Sequence, residues 1–168
     1  TLQVRLDTSD VPTVQSLNTN SLSPTLSGMA QKASGNLDQF VALGSEDLLV
    51  VRVNQHTYAW VNPSATGSAP NLTQEVSNDA SLDQMWGENA SITPTYQATD
   101  AVLSYDASTR RWGLSLPSGV LNESGVYDVQ VGVKAKGDVL RLDSGLNELT
   151  VQTAAPTLTF DEVSADGY

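Results

Sequence analysis

Gly125-Val126-Tyr127-Asp128-Val129-Gln130-Val131-Gly132-Val133-Lys134-Ala135 is the stretch on which the fold turns. Tyr127, Val129, Val131, Val133 and Ala135 take every second place, with Val126, Asp128, Gln130, Gly132 and Lys134 between them. Side chains on a strand point alternately to its two faces, so this spacing gives one apolar face and one mostly polar face. An amphipathic helix would need its apolar residues three and four apart instead. The stretch is expected to be a half-buried strand that places Tyr127, Val129 and Val131 in the core, together with Trp112.

Working outward, Leu48 to Asn54 reads similarly, as a β-branched run ended by the turn residues Asn54-Gln55. Shorter strand signals stand at Val11 to Leu17, Thr25 to Met29, Ala101 to Tyr105, Arg111 to Leu116 and Glu148 to Gln152, with Gly, Pro, Asn, Asp and Ser clustered between them. About seven strands and no long helix favour an all-β, antiparallel sandwich. Leu82 to Trp86 is the one stretch with helical character. From 61 to 99 the alternation is lost among Pro63, Pro70, Pro94 and many Asn and Ser residues, which reads as a long inserted loop. Trp60 and Trp86 stand in or beside it, with Tyr58 and Tyr96 near. Exposed, such rings would stack on a saccharide or peptide, making Trp60 and Trp86 candidate ligand-binding residues. Buried, they would pin the loop to the domain.

Charge and composition narrow the function. Nineteen acidic against eight basic residues leave a net charge of −11. A chain so short of cations has little to pair with phosphates, so nucleic acid is not an expected partner. The acids are spread along the chain, either as a solvated surface or as ligands for divalent cations. No apolar run, Leu48 to Val51 included, is longer than four residues, far below the stretch of about 20 residues that crosses a bilayer, so no membrane insertion is expected. Cysteine is absent, which removes disulfides and thiolate chemistry. The single histidine, His56, cannot build an imidazole metal cluster. Phosphate-binding glycine loops, zinc-protease helices and nucleophile elbows do not occur. The neighbouring acids Glu46-Asp47 and Asp161-Glu162 would face opposite ways on a strand, a poor arrangement for acid–base work. No enzymatic activity is expected.

The two ends of the chain resemble each other. Val4-Arg5-Leu6-Asp7-Thr8-Ser9-Asp10-Val11-Pro12-Thr13-Val14 matches Leu149-Thr150-Val151-Gln152-Thr153-Ala154-Ala155-Pro156-Thr157-Leu158 in pattern: a strand, a short linker, Pro-Thr and a new strand. Pro12 and Pro156 thus mark the same boundary met twice. The expected organisation is the end of one repeat at 1–10, a domain at 11–155 and the start of another repeat at 156–168.

Motifs in order along the domain complete the picture. They are Pro12-Thr13-Val14, Ser23-Pro24-Thr25-Leu26-Ser27-Gly28, the strand from Leu49 to Tyr58, Arg111-Trp112-Gly113-Leu114-Ser115-Leu116-Pro117, Gly125-Val126-Tyr127-Asp128-Val129 and Asn147-Glu148-Leu149-Thr150-Val151. This set resembles the bacterial immunoglobulin-like repeats of large biofilm and RTX adhesins, over about two thirds of the chain. Lys134-Ala135-Lys136-Gly137-Asp138 departs from the family's usual Asp-Ala-Ala-Gly-Asn, Gln152 stands where the linker usually carries Asp, and 61–99 is not part of the common repeat. The resemblance implies an immunoglobulin-like sandwich at the bacterial cell surface. There it would act as a spacer between neighbouring repeats in adhesion or biofilm formation, with calcium at the domain junctions. In that fold the loop between the last two strands lies at the end where the chain enters, which would bring Asp138 and Asp143 toward Asp7 and Asp10 as calcium ligands. A solvated acidic rim is the other reading of the same residues. A saccharide- or peptide-binding module using the inserted loop is the alternative function.

Overall fold

The computed structural model describes residues 11–34, 39–61 and 72–153. The expected flanking segments 1–10 and 156–168 lie outside the described residues. Along the chain run β1 (Thr13–Val14), β2 (Leu17–Thr19), β3 (Thr25–Met29), β4 (Lys32–Ala33), β5 (Phe40–Val41), β6 (Leu48–Val53), β7 (His56–Val61) and β8 (Leu72–Val76). A short helix α1 (Leu82–Trp86) follows, then β9 (Tyr96–Gln97), β10 (Val102–Asp106), β11 (Arg111–Ser115), β12 (Gly125–Tyr127), β13 (Val129–Lys134), β14 (Arg141–Leu142) and β15 (Leu149–Val151). The protein is all-β.

The strands form a four-stranded sheet in the order β1-β3-β11-β10, a six-stranded sheet in the order β14-β13-β6-β7-β8-β9, a three-stranded sheet in the order β12-β15-β2, and the β4–β5 pair. Every pairing is antiparallel except that of β15 with β2, where Leu149, Thr150 and Val151 run alongside Leu17, Asn18 and Thr19. Asp128 alone separates β12 from β13, so the stretch that opened the sequence reading is one line of chain shared by two sheets.

Alternation decides the core. Val129, Val131 and Val133 are buried with Leu49, Val51, Val53 and Tyr58 from the same sheet, Leu26, Leu103, Trp112 and Leu114 from the four-stranded sheet, and Leu149 and Val151 from β15. A fully buried aliphatic or aromatic side chain of this size contributes about 1.5–3 kcal/mol. Trp112 fills the layer between the sheets and its indole N–H donates to the Thr13 carbonyl at 3.0 Å. Tyr127 is only half-buried at the margin, because its hydroxyl reaches out to donate to the Glu123 carbonyl at 2.8 Å.

Two expectations are corrected. Val11 to Leu17 is not one strand: β1 pairs with β3, and the chain then crosses at Gln15-Ser16 so that β2 joins β15. The stretch 61–99 is not patternless, since β8 and β9 extend the six-stranded sheet and α1 covers its outer face. There Val50, Ala59, Val76, Ala80, Leu82 and Met85 make a second core, closed by Trp86, Ile92, Leu140 and Leu142. Gly132 belongs to that face: a β-carbon there would come within 2.9 Å of Val50 and 3.1 Å of Leu140 and Leu142. The helix, expected at Leu82 to Trp86, begins with a capping box in which Ser81 and Gln84 satisfy each other's backbone amides.

Candidate functional site

The last strand of the domain comes in two pieces. β14 lies beside Gly132 and Val133, and β15 lies beside β12, with the chain between them, 143–148, leaving the ladder. Where it leaves, the amides of β13 need other acceptors, and carboxylates supply them. Asp143 Oδ1 accepts from the Val131 amide at 2.8 Å, while the Asp143 amide donates to the Val131 carbonyl at 3.0 Å. Glu148 Oε2 accepts from the Val129 amide at 3.0 Å. Asp128 Oδ1 accepts from the amide of Asn147, whose φ of 59° turns the chain back toward β15. The Glu148 carbonyl in turn accepts from the Leu17 amide at 2.8 Å, which fastens β2.

The second oxygen of each inner carboxylate receives no hydrogen bond from an amide, hydroxyl or amine. Asp143 Oδ2 and Glu148 Oε1 are both buried, and Glu148 as a whole is 6% exposed. A β-carbon on Gly145 would overlap Glu148 Oε1 and lie 3.6 Å from Asp143 Oδ2, so both oxygens face the same side of Gly145. Burial pushes the Asp143 carboxyl up to about 6; the Val131 amide works against this, while the charge of Glu148, a hydrogen bond between the two carboxyl groups and the charge of Asp128 add to it. Beside the pair lies a cavity of about 240 Å³ lined by Val11 to Val14 and by Asp143, Ser144 and Gly145.

The structure places the expected residues as follows. Asp7 and Asp10 lie outside the described residues. Asp143 stands at the inner cluster, next to the first described residues after Asp10. Asp138 is not with it: it sits in the turn after β13, where its Oδ1 faces Arg141 Nη2 at 3.6 Å. That turn lies further along the strand from Val131, by about 13 Å at about 3.3 Å per residue. Among the described residues no group of three or more His, Cys, Asp or Glu has metal-holding geometry. Sequence reasoning did not single out Glu148 or Asp128. The one signal for Glu148 was its place in the closing motif, ahead of Leu149 and Val151.

Trp60 and Trp86 do not share a surface. Trp60 packs against the main core with its ring 5.7 Å from that of Tyr105, whereas Trp86 packs against the second core on the opposite face of the sheet. An open groove of about 550 Å³ runs past Trp60, Thr73, Val102 and Tyr105, with Leu72 and Val102 exposed in it. His56 Nδ1 meets Glu75 Oε1 at 2.6 Å on neighbouring strands, a pair that braces the sheet. Among the described residues no helix is long and apolar enough to cross a membrane.

No family model matches the chain, and no match is found among curated proteins or solved structures.

Proposed function

We propose that the chain is an immunoglobulin-like sandwich domain that acts, without enzymatic activity, as an extender repeat of a large adhesin on the outer surface of a bacterium. The strand order supports the fold. β1-β3-β11-β10 follows the A-B-E-D sheet of immunoglobulin domains, and β15, the β12–β13 line, β6, β7 and β8 follow G-F-C-C′-C″. β2 takes the place of the short strand that leaves the first sheet to run parallel to the last strand. Tyr127, bonded back to Glu123, has the form of the tyrosine corner at the start of strand F.

The observation that carries the extender reading is the parallel pairing of β2 with β15. Terminal strands that run the same way send the chain in at one end of the domain and out at the other. Domains linked in series through such ends make a rod. Tension between the ends would load the rungs of this ladder together, along the strands, rather than peel them singly. Calcium at the junctions, drawing on Asp7, Asp10 and Asp143, would stiffen the joints between neighbouring repeats. Small-angle scattering of two copies joined by the Pro-Thr linker tests this: the longest dimension should come close to doubling and should vary less with added calcium than without it. A compact pair with its domains folded back on each other contradicts it.

The groove at Trp60 and Tyr105 favours a second reading, a saccharide- or peptide-binding module. A specific hit on a glycan or peptide array, abolished by Trp60→Ala in a folded domain, would establish it.

A further inference from the structure

We propose that Thr73 is an edge guard: its hydroxyl occupies the strand-pairing groups of Leu103 and so keeps a second copy of the chain from joining β10 edge to edge. The inference goes beyond the extender reading, since it concerns one domain and holds whether or not repeats are strung in series.

An unpaired edge strand offers its amides and carbonyls to any extended chain, a copy of itself included. Among the described residues most sheet edges are too short to matter: β1, β4, β5, β9 and β14 have two residues each, and β2 and β12 have three. β10 is the exception. It has five residues, pairs with β11 through all five without a bulge, and carries neither lysine nor proline. Its one charge, Asp106, stands at its last position, and Val102 is 58% exposed. The usual devices that blunt an edge are therefore missing from the strand itself.

The opposite sheet supplies one. In an antiparallel ladder every second residue turns its amide and carbonyl away from the partner strand. Thr73 Oγ1 accepts from the Leu103 amide at 2.7 Å and donates to the Leu103 carbonyl at 3.1 Å. Leu103 and Tyr105 are thus the outward rungs of β10, and one hydroxyl makes both bonds that a neighbouring strand would make at Leu103. Thr73 reaches it from β8, where it lies beside Trp60 and points to the main-core side. Just ahead of the strand, Thr99 Oγ1 likewise accepts from the Ala101 amide at 3.1 Å. Leu103 is 3% exposed, so its rungs are closed to water and to another strand alike. Tyr105 is the other outward rung, and one rung does not hold a strand.

Without the guard, two β10 strands would meet antiparallel across a two-fold axis. Leu103 of each copy would stand opposite Tyr105 of the other, with the two Ser104 residues face to face. In that register Asp106 falls opposite Val102, so no acid opposes an acid.

The test is sedimentation velocity of the chain and its variants from about 5 to 500 µM, a range that registers weak self-association. The parent should stay monomeric, and so should Thr73→Ser, which keeps the hydroxyl. Thr73→Val keeps the shape and loses the hydroxyl, and should form a dimer toward the upper end of that range. Adding Ser104→Lys sets two like charges opposite each other across the axis and should return the protein to monomer. A synthetic peptide copying residues 100–107 gives a reading that needs no variant. At about 1 mM it should leave the Leu103 and Tyr105 amide signals of the parent unmoved in NMR. Movement of those signals in the parent would overturn the inference. So would a dimer of Thr73→Ser, a folded Thr73→Val that stays monomeric across the range, or a Thr73→Val dimer that survives Ser104→Lys.

Discussion

Asp47 is buried and Asp143 half-buried, and their surroundings drive them in opposite directions. Burial pushes the Asp47 carboxyl up, but hydrogen bonds from Lys32, from the Gly44 amide at 2.6 Å and from the Lys136 amide at 3.0 Å outweigh it and hold the group below the ordinary carboxylate value. Its contribution is present above that ordinary value and is lost as pH falls below about 4. Asp143 is raised to about 6, so the folded chain binds more protons than the unfolded one between about pH 4 and 6. Stability falls as pH rises through that window. In chelator the chain should therefore be more stable at pH 5 than at pH 7.5, by about 1–2 kcal/mol after solvent screening, as read by urea unfolding. Equal stability at the two values would contradict this. Asp47→Ala should cost about 3 kcal/mol at neutral pH, since it strands two amides and an ammonium group. The sequence marked Asp143 only as a candidate calcium ligand. It could not show that Asp143 replaces a missing strand, because that depends on where β14 stops pairing.

At the scale of the element, legibility followed burial on a single face. β13 and β11 were readable because each presents alternate apolar residues to the main core, and β6 because its β-branched run, buried on both faces, ends in turn residues. β8 was not, because Leu72 at its start is exposed and Thr73 is spent on a polar link, its hydroxyl accepting from the Leu103 amide at 2.7 Å. The second core was also hidden, since the sheet it covers reads as one apolar run at Leu48 to Val51. Gly132 marks that covered face. Gly132→Val should cost about 2–3 kcal/mol by forcing Val50, Leu140 and Leu142 apart. A loss below 0.5 kcal/mol (roughly the effect of an ordinary surface change) would mean that the outer face is open. The turn between β6 and β7 gives a prediction of the other sign. Asn54 and Gln55 have φ of 47° and 67°, the pattern of a two-residue turn with both residues left-handed. Gln55→Gly should raise stability by about 0.5–1 kcal/mol in the same unfolding measurement. A loss of stability would contradict that turn geometry.

For the whole molecule, the sequence conveyed the all-β class and the main core, and it treated 11–17 as a single strand. The crossing from β1 to β2 was out of reach because both pieces carry the same local signal and differ only in their partners, Met29 and Gly28 for one, Leu149 to Val151 for the other. That crossing sets the direction in which the chain passes through the domain, and on it the extender reading depends. Since the chain has no cysteine, two introduced thiols are unique labelling points. Thr13 and Thr153 are both exposed and flank the parallel pair on its two sides. Spin labels at Thr13→Cys and Thr153→Cys, read by pulsed dipolar spectroscopy, should give a distance centred at roughly 25–30 Å, the length of the strands between them at about 3.3 Å per residue. A distance below about 15 Å, as terminal strands joined antiparallel would give, would put entry and exit at the same end and contradict a domain built to be strung in series.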